Sequence, residues 1–121
     1  MNRPWDRIHI EDLEVHFHVG VPEEERARPQ RLLVTVDLDL DFGPAAQADD
    51  VEKTINYFVV SQRLLRFGDG QSWKLIERLA VDLAETLIRE FKPEATTVEV
   101  KKFVLPETRW VSVCVVRQRQ P

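Results

Sequence analysis

The sequence predicts an α+β fold in one domain spanning residues 1–121, with strands at both ends, a helical pair between them and a mostly antiparallel sheet that carries the helices on one face. Three observations predict it. Apolar residues alternate in steps of two over the first and last thirds of the chain, the period of strands with one buried face. In the middle third the period lengthens to that of amphipathic helices. A chain of 121 residues, 43% of them apolar, can also bury one core without disulfide or metal staples.

The first strand covers residues 7–19, with Ile8 and Ile10 and then Leu13, Val15, Phe17 and Val19 as its apolar positions. The phase slips at Glu11-Asp12, which predicts a bulge or tight bend. Residues 20–31 are charged and carry Pro22 and Pro29, a loop with few ladder bonds. The second strand sets Leu32, Val34, Val36, Leu38, Leu40 and Phe42 against Thr35, Asp37, Asp39 and Asp41, so its second face is expected to be wet. Helical spacing then runs from Asp49-Asp50, as N-cap, through Val51, Ile55, Phe58, Val59, Gln62 and Leu65 to Phe67. Gly68-Asp69-Gly70 breaks it, and Ser72 is the predicted N-cap of a longer helix. Its stripe, from Leu75 and Ile76 to Ile88 and Phe91, is closed by Pro93. Val98 and Val100 lead a third strand to Lys102, and Val111, Val113 and Val115 mark a fourth over residues 110–117. The order is β-β-α-α-β-β. A four-stranded sheet leaves two edges, and pairing them between copies would close a ring.

Composition removes several function classes. Seventeen basic against 21 acidic residues leave a net charge of −4, which argues against a nucleic-acid partner. No apolar run approaches the roughly 18 residues of a membrane span. The opening Met1-Asn2-Arg3-Pro4-Trp5-Asp6 lacks a signal-type apolar block, so a soluble, untargeted, cytoplasmic protein is expected. The lone Cys114 rules out an intramolecular disulfide, and among alternating valines it is expected to be a buried, inert thiol. His16 and His18 share a phase, but His9 lies across the bend; without a third ligand no metal site is expected. Neither a Ser-His-Asp spacing nor a glycine-rich phosphate loop is present.

Three features invite a chemical reading. The run Glu23-Glu24-Glu25-Arg26 falls in the long first loop, where functional groups concentrate. Glu77 sits near the start of the longer helix between Ile76 and Leu79, on an exposed edge or beside a pocket, close to the positive end of the helix dipole. Lys102 projects from the face of Val98 and Val100, where it either snorkels or stays desolvated for proton transfer.

Together these segments resemble the dihydroneopterin aldolase family over about residues 7–117. The resemblance rests on Gly20-Val21 followed by Glu25 and Gln30, on Asp49-Asp50-Val51 and Thr54-Ile55-Asn56-Tyr57, on Leu75-Ile76-Glu77-Arg78-Leu79-Ala80, and on the valine strand ending at Lys102. It implies the tunnelling fold, in which such subunits join their sheets into a barrel. It also implies a homo-oligomer, a tetrameric ring of which two stack as an octamer, with pterin pockets between neighbouring subunits. Glu77 would anchor the pterin edge, completed by the backbone at Ile76; Tyr57, with Thr54 and Ile55, would come from the adjacent subunit. Lys102 and Glu25 would form the catalytic pair, with Tyr57 relaying a proton. The implied reaction is a retro-aldol cleavage of 7,8-dihydroneopterin in folate biosynthesis, without cofactor or metal. One departure stands out: Phe103, not proline, follows Lys102, and the stretch after it is about a residue short. That is similar to the sister dihydroneopterin triphosphate 2′-epimerase, for which Arg26, Arg28, Arg31 and Arg109 could meet the phosphates. An idle pterin-binding ring is the third alternative; the presence of Lys102, Glu77, Tyr57 and Glu25 argues against it.

Overall fold

In the computed structural model, which describes residues 4–121, the chain folds as β1 (Asp6–Val19), α1 (Glu23–Arg26), β2 (Gln30–Leu40), α2 (Gly43–Ala48), a 3₁₀ turn (Val51–Lys53), α3 (Tyr57–Leu65), β3 (Ser72–Trp73), α4 (Ile76–Phe91), β4 (Ala95–Lys102) and β5 (Val111–Gln118). Residues 1–3, part of the opening stretch read above as untargeted, lie outside the described residues. The sheet order is β3-β1-β2-β4-β5, antiparallel except where β3 lies parallel to the end of β1. The core lies between the sheet and the two longer helices, α3 and α4.

The bulge forms where the phase slips. Ile10 pairs with Val36 and Leu13 with Val34, so Glu11 and Asp12 together oppose Thr35. Asp12 adopts a left-handed φ of 54°, a conformation aspartate tolerates better than most residues. Its N–H donates to Thr35 Oγ1 at 2.9 Å, and the Thr35 hydroxyl reaches Asp12 Oδ1 at 3.2 Å. The extra residue is what lets Ile8 and Ile10 share a face with Val15, Phe17 and Val19. Without it, half of β1 would present its apolar side chains to the wrong face.

The second face of β2 is drier than expected. Asp37 and Asp39 are 9% and 4% exposed, because β1 side chains fold over them. Arg7 lies 3.5 Å from Asp37 and 3.3 Å from Asp39, and His9 Nδ1 meets Asp37 Oδ1 at 2.6 Å. Paired in this way, the carboxylates can leave water.

α4 buries Ile76, Leu79, Ala80, Leu83, Ala84 and Leu87 against the sheet, and Lys92 ends it in a left-handed turn before Pro93. The structure departs from expectation in four further ways. The single helix read from Asp49-Asp50 to Phe67 is two pieces, because two side chains each start one. Asp50 caps the 3₁₀ turn by accepting from Glu52 N–H, and Asn56 caps α3 by accepting from Phe58 N–H. Between them Ile55 turns into the core. The stretch Gly43–Ala48, for which no element was expected, is a short helix with Pro44 in its first turn, where a missing N–H costs nothing. Ser72 caps no helix: it opens β3, pairing with His18 while Trp73 pairs with Val19. Trp73 is held there by Phe17 and Phe67, at ring-centre distances of 5.8 and 5.7 Å, and by its indole N–H donating to Asp82 at 2.9 Å. α4 therefore starts after Leu75, with no side-chain cap, and the sheet has five strands rather than four. Finally, Cys114 is exposed on β5 rather than buried. It points to the polar face beside Glu99, and partial desolvation, with help from Glu99 and Asp37, raises its thiol pKa.

Two outcomes follow from this packing. A Cβ placed on Gly68 would lie 2.4 Å from Cδ1 of the buried Phe17 ring, so Gly68→Ala is expected to destabilise the fold by about 1–3 kcal/mol. A lower urea midpoint at unchanged slope would register it. The hydrogen bonds that His9 donates to Asp37 and then Glu11 raise its pKa. The folded state thus holds that proton more tightly than the unfolded chain, a contribution complete below about pH 6.5 and lost as pH rises through the folded value. Thermal melts from about pH 5 to 9 should show the wild type losing more stability with rising pH than His9→Gln.

Candidate active site

β1 delivers the chain to Gly20, where the N–H donates to Trp73 O at 3.0 Å. That bond, beside the Val19–Trp73 pair, draws the start of α4 alongside the loop that carries Glu25. α1 is a single turn following Pro22, whose carbonyl accepts from Arg26 N–H at 3.1 Å. Its Glu25 carboxylate lies 3.1 Å from Lys102 Nζ. The two side chains are 27% and 12% exposed. Lys102 is the last residue of β4, between Leu32 and Val111, and projects from the face of Val98 and Val100 as its phase predicts. A sheltered amine and a carboxylate in contact, at the rim of the sheet, can pass a proton to and from a bound molecule.

Glu77 is the second residue of α4 and is exposed; among the described residues no hydrogen bond or ion pair engages it. Leu79 N–H is bonded to Leu75 O at 3.2 Å, and no side chain caps the N–H groups before it. The start of α4 therefore offers a free carboxylate beside free backbone donors. Ile76, next to it, is only 9% exposed and fixes the turn in the core. A hollow of about 440 Å³, lined by Ser72, Lys74, Leu75 and Arg78 among others, opens here.

Thr54, Ile55 and Tyr57 lie elsewhere. With Ile8, Phe42 and Val51 they line an open, largely apolar hollow of about 670 Å³. Tyr57, the first residue of α3, is 66% exposed. Lys102 pairs with Leu32, which pairs with Val15; from Val15 to Ile8 along β1 is about 20 Å at ~3.3 Å per residue. One copy thus brings Lys102, Glu25, Ile76 and Glu77 to one end of the sheet and leaves Thr54, Ile55 and Tyr57 at the other.

Other candidates have structural partners. Arg26 donates to the carbonyls of Gly20 and Val21 at 2.8 and 3.0 Å. Arg31 bonds Glu14 at 3.2 Å and lies over the Phe103 ring at 4.8 Å. Neither is free to meet a phosphate. The histidines also part company: His16 contacts Glu14 at 3.1 Å, and His18 Nδ1 donates to Arg26 O at 2.9 Å. Gln30 carries no expected role beyond its place in the resemblance, yet its amide donates to the carbonyls of Glu25 (2.8 Å) and Arg28 (3.2 Å). Its spacing five residues after Glu25 was the signal that pointed to it.

The curled, mostly antiparallel sheet backed by two helices, with a charged pair at one end and an apolar hollow at the other, matches the subunit of tunnelling-fold structures. Residues 8–116 match the family model described as FolB, dihydroneopterin aldolase. The chain belongs to the dihydroneopterin aldolase family. It is 31% identical to a dihydroneopterin aldolase from Haemophilus influenzae over 113 residues, 93% of this chain and 96% of that protein. A Bacillus subtilis relative of the same name is 36% identical over 98 residues, covering 80% of this chain and 82% of its own. The crystal structure of E. coli dihydroneopterin aldolase in complex with neopterin superimposes with a TM-score of 0.88 at 26% identity, covering 93% of this chain and 98% of that one.

Proposed function

We propose that this chain cleaves 7,8-dihydroneopterin by a retro-aldol reaction to 6-hydroxymethyl-7,8-dihydropterin and glycolaldehyde, a step of folate biosynthesis. The observation that carries this reading is the sheltered Lys102–Glu25 pair, 3.1 Å apart, at the same end of the sheet as an unpartnered Glu77. The names of the relatives, and the neopterin held by the E. coli structure, support the substrate class.

Glu77 accepts from the ring N–H and 2-amino group of the pterin, a fork matched to a fork, and the backbone at Ile76 completes the edge. Lys102, through water, removes the proton of the side-chain 2′-hydroxyl. The bond between the first and second side-chain carbons then breaks. Its electrons flow into the ring C=N, while the 2′-oxygen, having lost its proton, forms the carbonyl and the second side-chain carbon becomes the aldehyde of glycolaldehyde. Protonation of the first side-chain carbon completes the product. Glu25 positions the lysine or the water, and Tyr57 relays a proton. Because the ring supplies the electron sink, the reaction calls for neither a lysine Schiff base nor a cofactor.

Tyr57, Thr54 and Ile55 reach this site from a neighbouring copy, in a tetrameric ring that stacks as an octamer. The roughly 20 Å between the two halves in one copy supports that reading. Among the described residues no helix is long and apolar enough to cross a membrane; we place the enzyme in the cytoplasm, as one domain over residues 1–121. Of the four arginines that could meet a triphosphate, Arg26 and Arg31 are bonded elsewhere, which leaves only Arg28 and Arg109 for the phosphates and supports the free alcohol, and so the aldolase over the epimerase.

Incubation with 7,8-dihydroneopterin in the presence of a chelator, with chromatography of the oxidised pterins, should yield hydroxymethylpterin; monapterin, or no product at all, would overturn the assignment. Lys102→Ala should lower kcat by at least about 10²-fold with pterin affinity retained, whereas Glu77→Ala should abolish binding by fluorescence titration. Equal loss of affinity in both would sink this division of roles. Copies carrying Lys102→Ala and copies carrying Tyr57→Ala, each inactive alone, should recover activity when unfolded and refolded together. In a random mixture about a quarter of sites would unite two intact halves.

A further inference from the structure

We propose that Gly20 and Gln30 are positioning residues that hold the Glu25 carboxylate against Lys102, one by lacking a side chain and the other by pinning the backbone of α1. This rests on the reading of Lys102 and Glu25 as the reacting pair.

α1 cannot hold Glu25 by itself. It is four residues long and buries none of them, and one helical turn has no stability of its own. Something outside it must set the carboxylate. Gln30 opens β2 and is fixed to the sheet through its pair with Phe17. From there its amide donates to Glu25 O at 2.8 Å and to Arg28 O at 3.2 Å. Arg26 closes the loop from the other side through Gly20 O and Val21 O, and His18 holds Arg26 O. The backbone on both sides of Glu25 is thereby tied to the two longest strands.

The side chain of Glu25 is set by Gly20. A Cβ built there would lie 2.5 Å from Glu25 Oε1, 2.7 Å from Cγ and 2.8 Å from Cβ, all far inside van der Waals contact. The φ of Gly20 is not positive, so the position needs glycine for this close approach, not for its backbone angles. Glu25 reaches Lys102 by lying flat across the Gly20 backbone. The N–H of Gly20 is bonded to Trp73 O, so one residue fixes the carboxylate and ties it to the strand leading into Glu77.

Two variants test this. Gly20→Ala displaces the side chain of Glu25, and Gln30→Glu, of nearly the same shape, sets an acceptor against two carbonyl oxygens. Each is expected to lower kcat about 10²-fold, with KM changed by less than about threefold and the oligomer intact by sedimentation. Gly20→Ala added to Glu25→Ala should cost little further, because its effect passes through the missing carboxylate. A full additional loss would place the role of Gly20 elsewhere. A second readout needs no turnover: the ¹³Cε signal of Lys102 in lysine-labelled protein, assigned through Lys102→Arg. In Gly20→Ala and Gln30→Glu it should move towards its position in Glu25→Ala. If it stays at the wild-type position in both, the proposal fails. If the signal moves but the wild type cleaves no dihydroneopterin, the clasp stands and the aldolase reading falls. Should Gly20→Ala not fold, Gln30→Glu decides by the same signal.

Discussion

β1 is fourteen residues long and must present one apolar face along its whole length to a single core. Straight pairing would defeat that, because the sequence changes phase part-way. The unpaired residue at Glu11-Asp12 resolves the conflict, and everything downstream inherits the solution. The N-terminal half lines the hollow shared with Thr54 and Tyr57, while the C-terminal half carries Phe17 and Val19 into the aromatic cluster. From there the chain reaches Gly20 and the charged pair. The cost is a left-handed aspartate, offset by its reciprocal bonds with Thr35 and by Lys101, 3.0 Å from Asp12 Oδ1. The same contact lowers the pKa of Asp12, and Lys101 in turn lies 4.2 Å from the centre of the Trp110 ring.

Two adjacent lysines show how the pleat divides labour. Lys101 faces the polar side of the sheet and is absorbed into that structural network. Lys102, one residue on, faces the core side, where the sheet ends and the apolar packing gives way to Glu25. Alternation alone decides which amine is structural and which is available for chemistry.

Much of this was legible beforehand. The phase slip in β1, the apolar stripe of α4 and the facing of Lys102 follow from periodicity, because each is set by burial of one face. What periodicity could not reveal was set by individual polar contacts or by residues distant in sequence. Asp50 and Asn56 each start a helix of their own, so one apolar stripe became two pieces. Trp73 was drawn into a strand by Phe17 and Asp82, overriding the capping preference of Ser72. The aspartates of β2 were buried because Arg7 and His9 cover them, a pairing visible only once the register is known. The candidate site divides in the same way. The family resemblance nominated Lys102, Glu25 and Glu77, whereas the support under Glu25 depends on a missing side chain and an amide reaching back along the chain.

The exposure of the thiol has a practical consequence. Cys114 is the chain's lone cysteine and lies exposed on β5, the strand at the open margin of the sheet. Its raised pKa keeps it mostly in the unreactive thiol form near neutrality. It thus supplies a natural attachment point for a single fluorophore or spin label, added under mildly alkaline conditions without engineering. A reporter placed there sits at an open edge of the sheet, so its environment tests whether copies pair along that edge, independently of any catalytic event.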